Sequence, residues 1–172
     1  MAIIKLNNQS ISAVSALPAG VGGKVLQVVS TTKSDTWSSS GTGTFQAVTG
    51  LSLSITPSST SNKILIKTDV NMYVNDYGGG YSIYRDGSQI VTPSSVGSRS
   101  VTNASNHTTL ANFQSNMGLN YLDSPSSTSS LTYAVYVFAR SGTYYVNRSS
   151  TDSDTNDYAR TISTITAYEI AG

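Results

Sequence analysis

The segment KILIKTDVNMYV, residues 63–74, alternates between two kinds of side chain without a break. Its two sets of alternate positions are Ile64, Ile66, Thr68, Val70, Met72 and Val74 on one side, and Leu65, Lys67, Asp69, Asn71 and Tyr73 on the other. Successive side chains of a β-strand point to opposite faces of the sheet, whereas a helix repeats about every 3.6 residues. The alternation therefore predicts a strand with one face in the core and the other in water.

Short runs of β-branched and aromatic residues recur along the chain from Lys24 onward, separated by turn-forming residues. Two of the turns carry Asp-Gly at 86–87 and Ser-Gly at 141–142, and such pairs favour tight hairpins. A composition of 31 Ser and 21 Thr among 172 residues also suits strands and turns better than helices. We therefore predict one all-β domain over residues 24–172, an antiparallel sandwich or barrel.

The first 23 residues differ from the rest, because they show neither clean alternation nor sustained helical spacing. They end in PAGVGG, a composition that is typical of a hinge. Six aliphatic residues in the first 17 positions are too many to leave in water, so we expect them to bind a surface. We predict that residues 1–23 form an arm that docks onto another protein or a neighbouring subunit through Ile3, Ile4, Leu6, Ile11, Val14 and Leu17.

The segment LTYAVYVF, residues 131–138, is apolar or aromatic on both sets of alternate positions apart from Thr132. Such a pattern predicts a strand that is buried on both faces. In a sandwich of this size the second face must meet the N-terminal arm or another subunit. The candidate residues for a subunit interface are Tyr133, Val135, Tyr136 and Phe138.

Tyrosine is concentrated in the segment NMYVNDYGGGYSIYRDG, where the rings stand beside amide and carboxylate groups. Amphipathic rings in such surroundings can bind a glycan or a protein partner. The alternative is that they cover the sheet or fill a subunit interface. A lone tryptophan lies in a hydrophilic stretch, where it is either an anchor in the core or an exposed contact. The candidate contact residues are Trp37, Tyr77, Tyr81 and Tyr84.

Charge and cysteine content argue against several classes of partner. The net charge is +1 and the ten Lys and Arg residues are scattered, so no nucleic-acid-binding surface is predicted. No apolar run reaches the roughly 20 residues of a membrane helix, and no signal-peptide core is present. We therefore expect synthesis in the cytoplasm without membrane insertion. The absence of Cys excludes disulfides and thiolate metal sites.

Residue types that support catalysis are sparse. The only His is His107, the only Glu is Glu169, and no serine lies in a nucleophile-elbow pattern. A glycosidase needs two carboxylates, and nothing in the sequence marks such a pair. Residues 152–157 partly match a calcium loop but lack its glycine at position six and glutamate at position twelve, so a polar turn is favoured over a calcium site. We predict no enzymatic activity and no cofactor.

Two similar hexapeptides, PSSTSN at 57–62 and PSSTSS at 125–130, each precede a strongly apolar run. Proline ends a strand because it lacks a backbone donor, and the hydroxyl side chains can satisfy loose backbone groups. We interpret both as turns. The two strands that follow them are predicted to occupy comparable central positions in the sandwich, with both loops at the same end.

Seven blocks of the sequence can be compared, in order, over nearly the whole chain. They are AIIKLNNQSISAVSALPAG at 2–20, GKVLQVVS at 23–30, GLSLSITPSSTSNKILI at 50–66, VGSRS at 96–100, YLDSPSSTSSLTYAVYV at 121–137, GTYYVNRSS at 142–150 and STITAYEIAG at 163–172. Together they resemble a family of virion structural proteins, often tail-fibre-like, of marine and cyanobacterial phages. The resemblance implies a β-sandwich of jelly-roll type with a short N-terminal arm, a homotrimer, and no catalytic residues.

The leading hypothesis is therefore a homotrimeric accessory protein of the virion exterior, assembled in the host cytoplasm. Its expected partners are copies of itself, other virion proteins and host surface polysaccharide. The chain is short for a complete tail fibre, which favours head decoration, although both positions stay open. A stand-alone carbohydrate-binding module is the second hypothesis, and a polysaccharide depolymerase is the third.

Overall fold

A computed structural model describes residues 24–41, 43–75, 78–95, 97–107 and 110–172. The predicted arm, with its six aliphatic residues, and the candidate contact Tyr77 lie outside the described residues. Within them the chain forms eleven strands and no helix. The strands are β1 Val25–Lys33, β2 Trp37–Ser40, β3 Gln46–Ile55, β4 Lys63–Asn75, β5 Gly79–Arg85, β6 Ser88–Gln89, β7 Ala104–Asn106, β8 Ser115–Asp123, β9 Leu131–Ala139, β10 Thr143–Val146 and β11 Ser163–Ile170.

The strands form two antiparallel sheets. The first sheet has the order β1-β11-β4-β8, and the short pair β10 and β2 extends it alongside the end of β4. The second sheet has the order β3-β9-β5, with β7 and the two-residue strand β6 on the outer edge of β5. Eight main strands in two four-stranded sheets, with β1, β11, β4 and β8 facing β3, β9, β5 and β7, form a jelly roll. The predicted all-β antiparallel sandwich of jelly-roll type is confirmed.

The core lies between the two sheets and confirms the alternation of β4. Ile64, Ile66, Val70 and Met72 are fully buried. The alternate residues from Lys63 to Asn71 are exposed or half-buried, whereas Tyr73, near the end of the strand, is buried as well. From the second sheet the core receives apolar side chains of β3, β5 and β9. The buried hydrophobic residues of these strands are Val48, Leu51, Leu53, Ile55, Tyr81, Ile83, Leu131, Tyr133, Val135, Val137 and Ala139.

A pair of hydroxyl groups crosses this core. The Oγ1 of Thr68 lies 2.9 Å from the hydroxyl of Tyr81, which donates to the backbone carbonyl of Met117 at 3.2 Å. Burial raises the pKa of Tyr81 to about 12. Tyr81 is therefore a core residue that bridges the sheets. The prediction that it contacts a glycan or a partner is corrected, because its side chain is fully buried.

Strand β9 does not bury both of its faces. Tyr133 and Val135 point into the core and are fully buried, so the prediction that they contact another subunit is corrected. The Tyr133 hydroxyl donates to Asp123 at 2.7 Å, and burial beside this carboxylate raises the pKa of Tyr133. On the other face Tyr136 and Phe138 are half-buried. The second face of β9 is thus part of the surface of the described chain.

Both hexapeptide loops lie at the same end of the sandwich. The loop at 56–62 runs from the end of β3 to the start of β4, and the loop at 124–130 runs from the end of β8 to the start of β9. Ile55 at the end of β3 pairs with Leu131 at the start of β9, and Ile64 at the start of β4 pairs with Asp123 at the end of β8. Both loops therefore cross between the two sheets at the same end of the sandwich. Strands β4 and β9 are internal in their sheets. Both parts of the hexapeptide prediction are confirmed.

The described chain also begins at this end, which we call the proximal end. The backbone N–H of Ala171 donates to the carbonyl of Lys24 at 2.9 Å, and that of Gly172 donates to Oδ1 of Asn62 at 3.1 Å. At the opposite, distal end, β4 and β9 finish, and Gly79 pairs with Ala139 at the start of β5. Lys24 and the start of β5 are therefore separated by the length of β4.

Glu169 of β11 holds the first hexapeptide loop from inside the proximal end. Its side chain is almost completely buried, and its Oε1 accepts hydrogen bonds from the backbone N–H and the hydroxyl of Ser58 and from Nδ2 of Asn62. Its Oε2 accepts from Gln27 at 2.7 Å. Burial alone would raise the pKa of Glu169, but the donors from Ser58, Asn62 and Gln27 favour the ionised form and lower it to about 2.

The substitution Glu169→Gln should lower the free energy of unfolding at pH 7 by about 1–3 kcal/mol, because buried donors lose a charged acceptor. The folded-state pKa lies below the ordinary value of 4.5. The stabilisation is therefore present above pH 4.5 and is lost as the pH falls toward about 2. Urea unfolding at several pH values should show the difference between the two proteins shrinking in that window.

The exposed carboxylate of Asp157 provides the control. Asp157→Asn should change the free energy of unfolding by less than about 0.5 kcal/mol. A difference between the unaltered protein and Glu169→Gln that stays constant from pH 5 to about pH 2 would contradict the role given to the ionised carboxylate.

Candidate functional site

Four aromatic rings form a continuous patch on the outer face of the second sheet, which we call the aromatic patch. Tyr136 and Phe138 belong to β9, Tyr84 belongs to the neighbouring β5, and Phe45 directly precedes β3. The rings of Tyr84 and Tyr136 stack with centroids 3.9 Å apart. Phe45 lies 5.6 Å from Tyr84 and 5.4 Å from Phe138, both in tilted orientations. All four rings are half-buried, so each keeps part of its surface open to a partner.

A pocket of about 270 Å³ adjoins the patch at the distal end, and we call it the distal pocket. Phe138 and Arg140, from the end of β9 and the turn that follows, form part of its wall. Hydroxyl, amide and imidazole groups line the rest, and the described lining contains no carboxylate. These polar residues are Ser100, Thr102, Ser105, Asn106 and His107.

Glycines allow the strands around this pocket to approach closely. A Cβ on Gly79 would lie 2.6 Å from the carbonyl oxygen of Phe138 and 2.8 Å from Val74, so a side chain there would displace the sheets. A Cβ on Gly80 would lie only 2.2 Å from the carbonyl oxygen of Ala104. The glycine tract at 78–80 is therefore needed for packing, and it leaves one side of the pocket without side chains.

The structure brings together candidates that the sequence placed in different groups. Tyr84, a candidate glycan or partner contact, stacks on Tyr136, a candidate interface residue. Trp37 is half-buried on β2 and packs against the core, as an anchor would. The sequence alone did not indicate Phe45 or Arg140. Each residue borders a loop, and its neighbours in space are distant from it in the sequence. The aromatic pattern of β9 and the tyrosine-rich segment that contains Tyr84 each pointed to part of this surface.

A second apolar surface lies on the outer face of the first sheet, near the proximal end. Strand register places four side chains side by side across four strands, Val28, Tyr168, Leu65 and Leu122, which we call the apolar row. Val28 is 53% exposed and Leu122 is 47% exposed, while the two central side chains are half-buried. Val25 and Leu26, also exposed, border it where the described chain begins.

The acidic loop at 152–157 is organised by arginines. The Oδ2 of Asp152 accepts from Arg148 at 3.0 Å and from Arg160 at 2.8 Å, and its Oδ1 accepts from Arg160 at 3.1 Å. These donors, Arg160 first and then Arg148, hold the pKa of Asp152 below its usual range. The carboxylate at the first position of the partial calcium pattern is thus already occupied by two cations.

The described part of the chain holds no cluster of metal-ligating side chains and no membrane-crossing helix. No group of three His, Cys, Asp or Glu side chains there is close enough to hold a metal ion. No helix in the same residues is long and apolar enough to cross a membrane.

Comparisons with known proteins give a weak structural likeness. No family model matches the sequence, and no curated protein matches it. Among solved structures, the Gx strain of infectious bursal disease virus has a TM-score of 0.43 and 17% identity, covering 98% of this chain and 42% of that chain. The VP2 subviral particle of the same virus has a TM-score of 0.40 and 13% identity, covering 84% and 38%. The chain thus spans less than half the length of these proteins, and a likeness of this size carries no conclusion about function.

Millimolar calcium should leave the Tm of the unaltered protein unchanged, because Asp152 is neutralised by Arg148 and Arg160. Thermal unfolding with calcium and with a chelator measures this directly. The double variant Arg148→Gln and Arg160→Gln frees the carboxylate, and any calcium-dependent rise in Tm should be confined to it. A rise in the unaltered protein would contradict the assignment of this loop as an arginine-bound turn.

Proposed function

We propose that this chain is a non-enzymatic structural protein of a phage virion, an exterior accessory component that is anchored by residues 1–23 and presents its distal end outward. The observation that carries the proposal is that the two ends of the sandwich differ. The described chain starts at Lys24, at the proximal end, whereas the distal pocket lies at the other end. Strand β4 spans this distance with 13 residues, or about 40 Å.

Self-association is the second part of the proposal, and the apolar row supports it. Scattered exposed apolar residues are ordinary on a protein surface, but a row that continues across four strands is typical of an interface. The arm precedes β1 in the sequence, and its aliphatic side chains add further apolar surface. We propose a homotrimer, the state that the resemblance to phage structural proteins implies, with the apolar row in its interface.

The expected partners are other virion proteins at the proximal end and host surface polysaccharide at the distal end. A charge-poor surface rich in hydroxyl groups suits such a position, because many crowded copies repel one another weakly. Head decoration and a tail-fibre-like appendage both fit this arrangement. Imaging of particles with a label on an exposed distal residue distinguishes them.

A stand-alone carbohydrate-binding module is the alternative function. The aromatic patch and the adjoining polar pocket favour it, because ring faces and directional polar groups together are typical of small-ligand sites. The two functions differ in what the arm does. A virion component needs residues 1–23 to reach the particle, whereas a stand-alone module needs neither the arm nor a particle.

Light scattering and sedimentation at micromolar concentration should give a trimer. Val28→Lys should convert it to a monomer, because a charge in the apolar row must be desolvated in the interface. The fold should survive, since Val28 is already 53% exposed. Thr32→Lys, on the same face of β1 but outside the row, is the matched control and should stay trimeric. A monomeric unaltered protein would overturn the homotrimer.

Replacing Ile3, Ile4 and Leu6 with serine should remove the protein from purified particles while leaving its thermal unfolding unchanged. The change removes aliphatic surface that is expected to bury against another virion protein. Serine at Asn7 and Asn8 is the control and should preserve incorporation. Normal incorporation of the aliphatic variant would contradict anchoring by the arm, and failure of the unaltered protein to enter particles would favour the stand-alone module.

A further inference from the structure

We propose that the distal pocket binds a carboxylate-bearing sugar residue of a surface polysaccharide, with Arg140 as the partner of the carboxylate and the Phe138 ring as the stacking surface. This inference rests on the proposed contact between the distal end and host polysaccharide, and it names the chemical class of that ligand.

Arg140 gives the pocket a positive charge. Arg85, Arg148 and Arg160 are each held by an aspartate within the described chain. Arg140 makes no such ion pair with any described residue, and it lies in a pocket whose described lining contains no carboxylate. A guanidinium presents parallel N–H donors that match the two oxygens of a carboxylate. The pocket therefore favours an anionic ligand.

The apolar wall of the pocket distinguishes a sugar acid from a simple anion. Phe138 provides an apolar wall beside Arg140, and Phe45 extends it at a centroid distance of 5.4 Å. The C–H groups on one face of a pyranose can lie against the electron-rich face of such a ring. Inorganic anions gain nothing from an apolar wall. An arginine beside an aromatic ring thus fits a ligand that is charged at one point and has apolar C–H groups elsewhere.

The polar lining of the pocket matches the hydroxyl groups of a sugar. Ser100, Thr102 and Ser105 line the pocket, and a hydroxyl side chain both donates and accepts. Such groups can adapt to neighbouring sugar hydroxyls, which also donate and accept. His107 stands beside Gly78, where an added Cβ would lie 3.2 Å from its Cδ2, so the glycine keeps the imidazole edge uncovered.

The size of the pocket limits the size of its ligand. The volume of about 270 Å³ lies just below the range of roughly 300–1,000 Å³ that small-molecule sites span. A space of this size suits one sugar residue. Because the pocket lies at the distal end beside the aromatic patch, the adjoining residues of a polysaccharide can continue over Tyr84 and Tyr136.

The test uses the full chain and two probes, methyl β-D-glucuronide and methyl β-D-glucoside, which differ only in carboxylate against hydroxymethyl. NMR titration should detect the glucuronide in the millimolar range and the glucoside at least tenfold more weakly. Arg140→Gln should weaken glucuronide binding at least tenfold and abolish the preference. Phe138→Leu should weaken both probes. Arg160→Gln, which removes an exposed arginine outside the pocket, is the control and should change neither.

Each other result has a definite meaning, provided that thermal unfolding shows the variants folded. Equal binding of the two glycosides, unchanged in Arg140→Gln, would overturn the acidic class while leaving the proposed glycan contact standing. Competition by inorganic phosphate at the same concentration, with no effect of Phe138→Leu, would overturn the sugar in favour of a simple anion site. No binding of either glycoside would overturn the inference, whereas trimer formation and particle incorporation test the virion role separately.

Discussion

Strand β4 is the element on which the arrangement of the molecule depends, because it is hydrogen-bonded along both edges. It pairs with β11 and then β10 on one edge and with β8 on the other. Its alternate side chains supply the centre of the core, and its length separates the proximal end from the distal end. The neighbouring strands of the first sheet take their register from it, so the position of the apolar row follows from this one strand.

Buried polar side chains supply hydrogen-bond partners at the edges of the sheets, where the apolar core provides none. Asn147, in a left-handed conformation, donates from its amide to the carbonyls of Lys33 and Asp35 and accepts from the hydroxyl of Ser163. Glu169 performs the same task for the first hexapeptide loop. Each polar side chain here replaces water for backbone or side-chain groups that would otherwise be buried without a partner. Such closure explains why a chain so rich in hydroxyl and amide groups can still form a single core.

The sequence predicted the fold better than it predicted the surfaces, and the reason is physical. A period of two determines which side chains share a face, as in β4, and proline-led turns mark where strands end. The alternation of side chains does not determine what covers the second face of a strand. For β9 that face holds Tyr136 and Phe138 beside Phe45 and Tyr84, which come from other segments. Tyr81 was misjudged for a similar reason, since its partners Thr68 and Met117 are met only across the folded sandwich. The distal pocket joins loops at 100–107 and 138–140, and no local pattern signals such a meeting.

The two candidate surfaces do not overlap. Under the proposed function, one protein can therefore associate with its copies through the apolar row and bind a ligand at the distal end. The apolar row lies on the outer face of the first sheet close to Lys24, whereas the aromatic patch lies on the outer face of the second sheet and leads to the distal pocket. Copies that associate through the first sheet therefore leave the second sheet and the distal end uncovered. Under the proposed function, several pockets then face the same way, and each adds to the binding of a repeating polysaccharide. Because the second and third contacts form within one complex, weak binding of single sugars suffices for firm attachment.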